Sequence, residues 1–432
     1  MLIKTLWQAL KQKPLRKRLY FTLFILILFR LGAHITTPGV DSSIVRELGS
    51  IGLLQSLSLI SGNAFKNFSL FALGISPYIS ASIIIQILQL DVVPIFTEWS
   101  KQGEIGRRKL NKATRWLTLG LAVLQGYGVV MMVSGATGYS VVISDSWQVY
   151  ALVLLGVCAG SMVLTWLSEQ ITDRGVGNGQ TMIIVAGILA TLPDFIINIW
   201  KSYFMKIKWD ITSEKTWQYI GIITGVVLVL AVLMFIIIYI HQAEFRIPIQ
   251  YSNREQGYGD MSYLPLKLNP SGVIPVIFAS VIMTAPSFVE NMFNIRSQQY
   301  MHFASFFDMT RWRGIVVYAL VIILFSLMYS FIQVNPEKTA TQLVQSGSYI
   351  VNVRPGEETE RYFGQLLSRL GLMGGVFLAI VACLPLIVGK FTQTSIDFAL
   401  TGTSLLIVIA GALDVCNQLN GFVMKRQYKE LF

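Results

Sequence analysis

Charge is scarce in this chain: Asp, Glu, Lys and Arg make up only 13% of its 432 residues, against roughly a quarter in soluble domains. With a mean hydropathy of +0.59, that excludes an ordinary water-soluble globule. Cysteine is almost missing, and Cys158, Cys383 and Cys416 are odd in number and widely spaced, so neither a disulfide framework nor a metal site is indicated. Histidine is as rare. His34, His241 and His302 are scattered, no H-E-x-x-H motif occurs, and no serine or carboxylate pair has a recognisable catalytic setting. No catalytic residue and no cofactor is assigned. The glycines of "RGVGNGQ" (174–180) alternate without a surrounding βαβ unit, so they read as a tight turn capped by Asn178 rather than a nucleotide loop.

What the chain has is apolar length, with 53% hydrophobic residues. A membrane-spanning helix needs about 20 mostly apolar residues. Ten stretches qualify, near 18–36, 68–90, 115–134, 148–168, 179–200, 217–240, 272–291, 313–333, 371–388 and 402–422. The expected fold is an all-α polytopic membrane protein. About two-thirds of the 34 Lys and Arg fall in segments that are cytoplasmic if the N-terminus is inside, and basic flanks are retained on that side. Both termini are therefore expected in the cytoplasm. The lysine-bearing connection 201–215 fits this poorly and is outvoted. The basic N-terminus, residues 1–17, reads as a retained amphipathic helix on the membrane surface, held by acidic lipids.

Several segments are unusual for plain membrane spans. The apolar run around 51–60 is too short to cross, and reads either as a re-entrant helix or as an amphipathic surface helix. "LGISPYISASIIIQIL" (73–88) is interrupted by Gly74, Ser76, Pro77, Ser80 and Ser82. Pro77 is expected to free a backbone carbonyl and bend the span, while Ile75, Ile79 and Ile83 share one face. This pattern suits either a tightly packed helix or one that lines a cavity. "MIIVAGIL" (182–189) repeats the spacing with Ile184 and Ile188. The connections 97–115, 241–269 and 334–370 are long or charged, and "EFRIPIQYS" with "YLPLKL" predicts a β-hairpin. "GRRKLNKATR" either binds nucleic acid or obeys the inside-positive bias. Intramembrane charge is sparse: Arg30 and Asp414 lie in spans, and Glu169, Asp194 and Glu290 near span boundaries.

Eight segments then occur in a specific order: "RLGAHITTPGVD" (30–41), "FSLFALGISPYISASIIIQIL" (68–88), "WSKQGEIGRRKLNKATRWLT" (99–118), "WLSEQITDRGVGNGQTMIIVAGI" (166–188), "RIPIQYS" (246–252), "LPLKLNPSGVIPVIFAS" (264–280), "VNPEKTATQLVQSGSYIVNVRPGEET" (334–359) and "TGTSLLIVIAGALD" (401–414). From about residue 15 to its end the chain resembles the SecY family, the central subunit of the bacterial protein-conducting channel.

That resemblance implies two pseudo-symmetric five-helix halves, 18–200 and 217–422, joined by 201–216 and closing around a pore. It implies a short plug helix near 51–65, cytoplasmic loops at 241–270 and 334–370, and a cytoplasmic tail from 423. It also implies a pore ring of Ile75, Ile79, Ile184, Ile188, Ile277 and Ile407. Lateral opening to lipid falls between spans 2 and 3 on one side and spans 7 and 8 on the other, with Ser80, Ser82, Gln86 and Thr284 as gate candidates. Arg246, Arg254 and Arg354, with Arg107 and Arg108, become docking residues for the SecA motor ATPase or the ribosome. SecE and SecG are the implied small membrane partners, and polypeptides bearing signal sequences the cargo. The expected location is the bacterial plasma membrane. The alternative is a secondary transporter of a small solute, which would need a coupling charge such as Asp414.

Overall fold

The computed structural model describes residues 12–40, 64, 68–89, 93–137, 146–203, 214–251, 262–293, 297–392 and 398–431. Residues 1–11 of the predicted N-terminal surface helix and, apart from Ala64, the predicted plug lie outside them, while residues 13–17 form the start of the first helix. Each of the ten predicted spans overlaps a described helix. These are α1 (Lys13–Gly32), α2 (Ser76–Leu88), α4 (Gly103–Thr137), α5 (Trp147–Arg174), α6 (Gly179–Tyr203), α7 (Glu214–Gln242), α8 (Ile274–Phe293), α10 (Trp312–Gln333), α12 (Glu357–Thr392) and α13 (Phe398–Leu431). Short helices α3 (Pro94–Lys101), α9 (Gln298–Ser305) and α11 (Pro336–Gln345) lie between them. Among the described residues four helical stretches are both long and apolar enough to cross a membrane: Trp147–Arg174, Trp312–Gln345, Glu357–Val388 and Thr403–Met424.

Packing divides the chain into two compact units: residues 1–220, 285–304 and 407–432 form one, and 221–284 with 305–406 the other. In the first unit, α1 buries Leu15, Thr22, Ile25, Phe29 and Gly32 at helical spacing, and leaves Leu23, Phe24, Ile27 and Leu31 exposed. Apolar side chains presented in this way are stable against lipid and costly against water. α5 carries Gly156 and Gly160 one turn apart, and a Cβ at Gly160 would strike the Leu70 carbonyl. The small residues let the backbone of 68–75 lie directly on the helix.

In the second unit α10 and α12 use the same device. A Cβ at Gly371 would lie 2.8 Å from the Ser330 hydroxyl, and one at Gly375 would lie 3.0 Å from the Ser326 Cβ. The opposite stripe of α10, Val316, Leu320 and Leu324, is exposed. The predicted hairpin is present as β1 (Glu244–Tyr251) and β2 (Ser262–Lys267), paired antiparallel with Arg246 opposite Pro265. A third strand, β3 (Ser348–Ile350), joins the other side of β1, giving the order β2-β1-β3. The alternation of β1 turns Ile247 and Ile249 into a core with Leu266, Leu343, Ile350, Phe363 and Leu370, so the two long connections form one packed body.

Candidate pore and gate

The expected bend of span 2 at Pro77 is replaced by a helix start. Residues 68–75 form turns, and Pro77 occupies the first turn of α2, where its missing N–H would have had no helical partner. The irregular backbone needs protein partners at membrane depth, and it has them. The Leu70 N–H donates to the Ile35 carbonyl (3.0 Å) and the Thr37 N–H to the Phe68 carbonyl (3.0 Å). The Phe71 N–H donates to the Ser69 hydroxyl oxygen (3.2 Å), and the Ser161 hydroxyl donates to the Gly74 carbonyl (3.3 Å). Gly74 takes the left-handed conformation (φ 57°) that turns the chain into α2. Ile75 follows as the N-cap, and its carbonyl accepts from the Ile79 N–H (3.1 Å). Ile75, Ile79 and Ile83 thus sit one turn apart, all buried.

On α6, Ile184 and Ile188 are buried too. The helix starts from the glycine turn predicted for 174–180. Asn178 caps it by accepting the Gln180 N–H at 3.1 Å, and Thr172 accepts the Gly179 N–H at 2.9 Å. Gly177 has a φ of 88°, where a side chain would be strained. Two distant residues complete the turn. The Val176 N–H donates to the Thr22 hydroxyl of α1 (3.0 Å), and the Gly177 N–H donates to the Gln418 Oε1 of α13. α13 also lies close on α6 where a Cβ at Gly411 would meet Val185 and Thr181. Ile407, one turn before Gly411, is half-buried in the same unit.

Five of the six ring candidates therefore belong to the first unit. Ile277 belongs to the second, half-buried in the first turns of α8. The loop before it is braced by Asn269, whose amide donates to the Gly272 carbonyl (2.9 Å) and accepts from Ser271 (2.8 Å).

The gate candidates on α2 bond locally. The Ser80 hydroxyl donates to the Ser76 carbonyl (3.1 Å), and the Gln86 amide donates to Ser82 (3.0 Å). The Gln86 Oε1 is buried without a hydrogen-bond partner among the described residues. Gln125 of α4, which sequence reasoning missed, donates to the Ser80 hydroxyl at 3.4 Å. Its signal was a lone amide in an apolar span. Thr284 donates to the Val281 carbonyl (2.9 Å).

The docking candidates Arg107, Arg108, Arg246 and Arg354 are all exposed; Arg254 lies outside the described residues. Arg354 sits at a rigid point, because the Thr359 hydroxyl donates to its carbonyl (2.9 Å) and its own N–H donates to Glu358 (3.4 Å). Glu169 forms a two-point ion pair with Arg115 (3.1 and 2.5 Å). A carboxylate held this way ties α4 to α5.

Apolar helices packed through glycine, with an irregular backbone sealed inside them, define a multi-pass helical membrane protein. The family model for SecY matches residues 69–416. The protein translocase subunit SecY of Streptococcus gordonii is 44% identical over 99% of this chain and 98% of its own length. That of Staphylococcus aureus is 40% identical over 99% of both. The chain belongs to the SecY family. Solved structures agree on the fold. One described as a protein-conducting channel has a TM-score of 0.67 at 15% identity, covering 95% of this chain and 92% of that one. The canine Sec61 of a ribosome-channel complex has a TM-score of 0.63 at 15% identity, with the same coverage.

Proposed function

We infer that this chain is the pore subunit of a bacterial protein translocase, a passive channel that passes unfolded secretory polypeptides across the plasma membrane and releases apolar segments sideways into lipid. The observation that carries this is the 44% identity to a protein translocase subunit along 99% of the chain. The chemistry suits the task. A collar of Ile75, Ile79, Ile184, Ile188, Ile277 and Ile407 offers no hydrogen bond to select a cargo sequence, and it excludes water and ions by dewetting. An apolar signal segment gains about 0.8 kcal/mol per buried CH₂ on reaching lipid. Two halves, 18–200 and 217–422, close around that collar, with the segment near 51–65 as plug and both termini cytoplasmic.

The work of transport comes from outside the chain, from the SecA motor or a translating ribosome docked on the cytoplasmic loops. Arg246, Arg254 and Arg354 on the 241–270 and 334–370 loops, with Arg107 and Arg108, are the contact residues. Ribosome binding is favoured by the ribosome-bound canine relative. SecE and SecG complete the assembly, and acidic lipids hold the basic flanks.

Photocrosslinking from Ile188 to a stalled secretory polypeptide in native membranes tests the reading, with the exposed Leu124 of α4 as control. An adduct at Ile188 that requires a functional signal sequence is expected. Absence of an adduct with the complex intact and engaged would return the solute-transporter reading to the field.

A further inference from the structure

We propose that the outer end of α10 and α12 holds the headgroup of an acidic phospholipid of the outer leaflet, with Arg313 and Lys390 on its phosphate and Trp312 at the boundary with its chains. That this end faces outward rests on the proposed function and its topology. With both termini cytoplasmic, α10 is the eighth of ten spans and starts outside.

Basic residues are normally retained on the cytoplasmic side. Three of them, Arg311, Arg313 and Lys390, nevertheless stand where α10 begins and α12 ends, all within the second unit. The fold sets them in place. The turn 308–311 is closed by the Arg311 N–H on the Asp308 carbonyl (3.0 Å), and it lies so close on α10 that a Cβ at Gly314 would strike that carbonyl. The carboxylate of this turn is already engaged. Asp308 pairs with Arg311 (3.6 Å) and accepts from the Thr310 N–H (2.9 Å) and the Thr310 hydroxyl (2.7 Å).

Arg313 and Lys390 have no carboxylate partner among the described residues. Each stands over a ring instead, Arg313 at 5.8 Å from the centroid of Phe306 and Lys390 at 4.6 Å from that of Trp312. Both rings are exposed. An aromatic face steadies a cation without neutralising it, so the charge stays available to an anion. Tryptophan also suits headgroup level, where one side of the ring is wet and the other apolar. α10 begins without a side-chain cap, and its first N–H groups add positive potential at the same end.

Beneath the cations the surface turns apolar. Trp312, Val316, Leu320 and Leu324 follow at four-residue spacing and are all exposed, forming a slowly winding line along the helix. At about 1.5 Å of rise per residue the line runs about 18 Å, close to half of a hydrocarbon core of roughly 30 Å. Charge at one end with one leaflet's depth of apolar surface below it is the outline of a phospholipid. A free phosphate or an acidic polypeptide matches only the charge, and a zwitterionic lipid only the line.

The test uses the full-length subunit in its native complex, in phosphatidylcholine nanodiscs that carry a trace of phosphatidylglycerol or phosphatidylcholine with a photoreactive headgroup. Adducts on residues 305–316 and 386–390 are quantified by peptide mass spectrometry. The acidic probe should label these segments severalfold more than the zwitterionic one. Excess unlabelled phosphatidylglycerol should compete, and inorganic phosphate should not. Arg313→Gln combined with Lys390→Gln should bring the acidic probe down to the zwitterionic level. Arg313→Lys combined with Lys390→Arg keeps both charges and should keep the preference. If the double glutamine variant does not accumulate, either single one should show a partial loss. Equal labelling by the two probes, or a preference that survives loss of both charges, would overturn the site, and displacement by phosphate would overturn the lipid as its ligand. The side is read separately. The three native cysteines are buried and Thr310 is exposed, so Thr310→Cys in spheroplasts should react with an impermeant maleimide. Reaction only after lysis would overturn the outer leaflet. None of these readouts involves transport, so loss of the lipid site leaves the crosslinking test at Ile188 standing, and failure of that test leaves lipid binding to be judged by its own probes.

Discussion

In the proposed ring, isoleucine would differ from isoleucine in a core, because it would have to seal without sticking. If the proposed collar exists, replacing Ile188 or Ile407 with Asn would put an amide into it, at a cost of about 1–3 kcal/mol unless water enters to hydrate it. The expected result is a looser seal, read as raised ion conductance of reconstituted channels and broader acceptance of weak signals. Unchanged conductance and stringency would remove both residues from the ring. Gly160 makes the opposite case, a residue whose value is its lack of a side chain. A Cβ there would enter the Leu70 carbonyl, so Gly160→Val should destabilise by about 1–3 kcal/mol. The reading is a lower melting temperature of the purified protein in detergent. The isoleucine pairs were legible in the sequence from their spacing, while the burden on Gly160 was not, since nothing local says what a glycine faces.

Among the elements, the turn at 174–180 shows how far local reading reaches. The glycines and Asn178 announce a tight turn, and the cap is found at 3.1 Å. The partner of Gly177, Gln418, is 241 residues away and carries no mark in a helical stretch. Gln418→Leu leaves that N–H without its acceptor, which costs about 1–3 kcal/mol where the donor is buried. Faster amide exchange at Gly177, with exchange in α10 unchanged, is the expected signature. α2 gives the converse lesson. Proline inside an apolar run suggests a bend, yet the helix simply starts there, because the preceding turns are satisfied by Ile35, Ser69 and Ser161. β3 was missed because three residues in a charged connection have too little alternation to read. Only pairing of Ile350 with Ile249 makes them a strand.

At the scale of the whole molecule, the two long connections form one body, with β3 from the second completing a sheet begun in the first. Arg354 projects from this body on a backbone fixed by Thr359 and Glu358. On the proposed reading, reversing its charge should leave the fold intact and alter docking at this loop. Arg354→Glu should impair motor-driven export more than ribosome-coupled membrane insertion, measured on matched substrates in inverted vesicles. Equal loss of both would show that the residue does not distinguish them.

Composition and hydropathy by themselves determined that this is a multi-pass helical membrane protein, because about 20 apolar residues have no other stable use in repeated series. Ordered motifs determined the family. Tertiary structure decided the rest: which glycines are sockets, that Gln125 holds Ser80, and that Gln418 closes the turn before α6. The physical reason is distance along the chain. Hydropathy and turn preference act within a few residues, whereas close packing and buried hydrogen bonds join segments hundreds of residues apart and leave no local pattern to read.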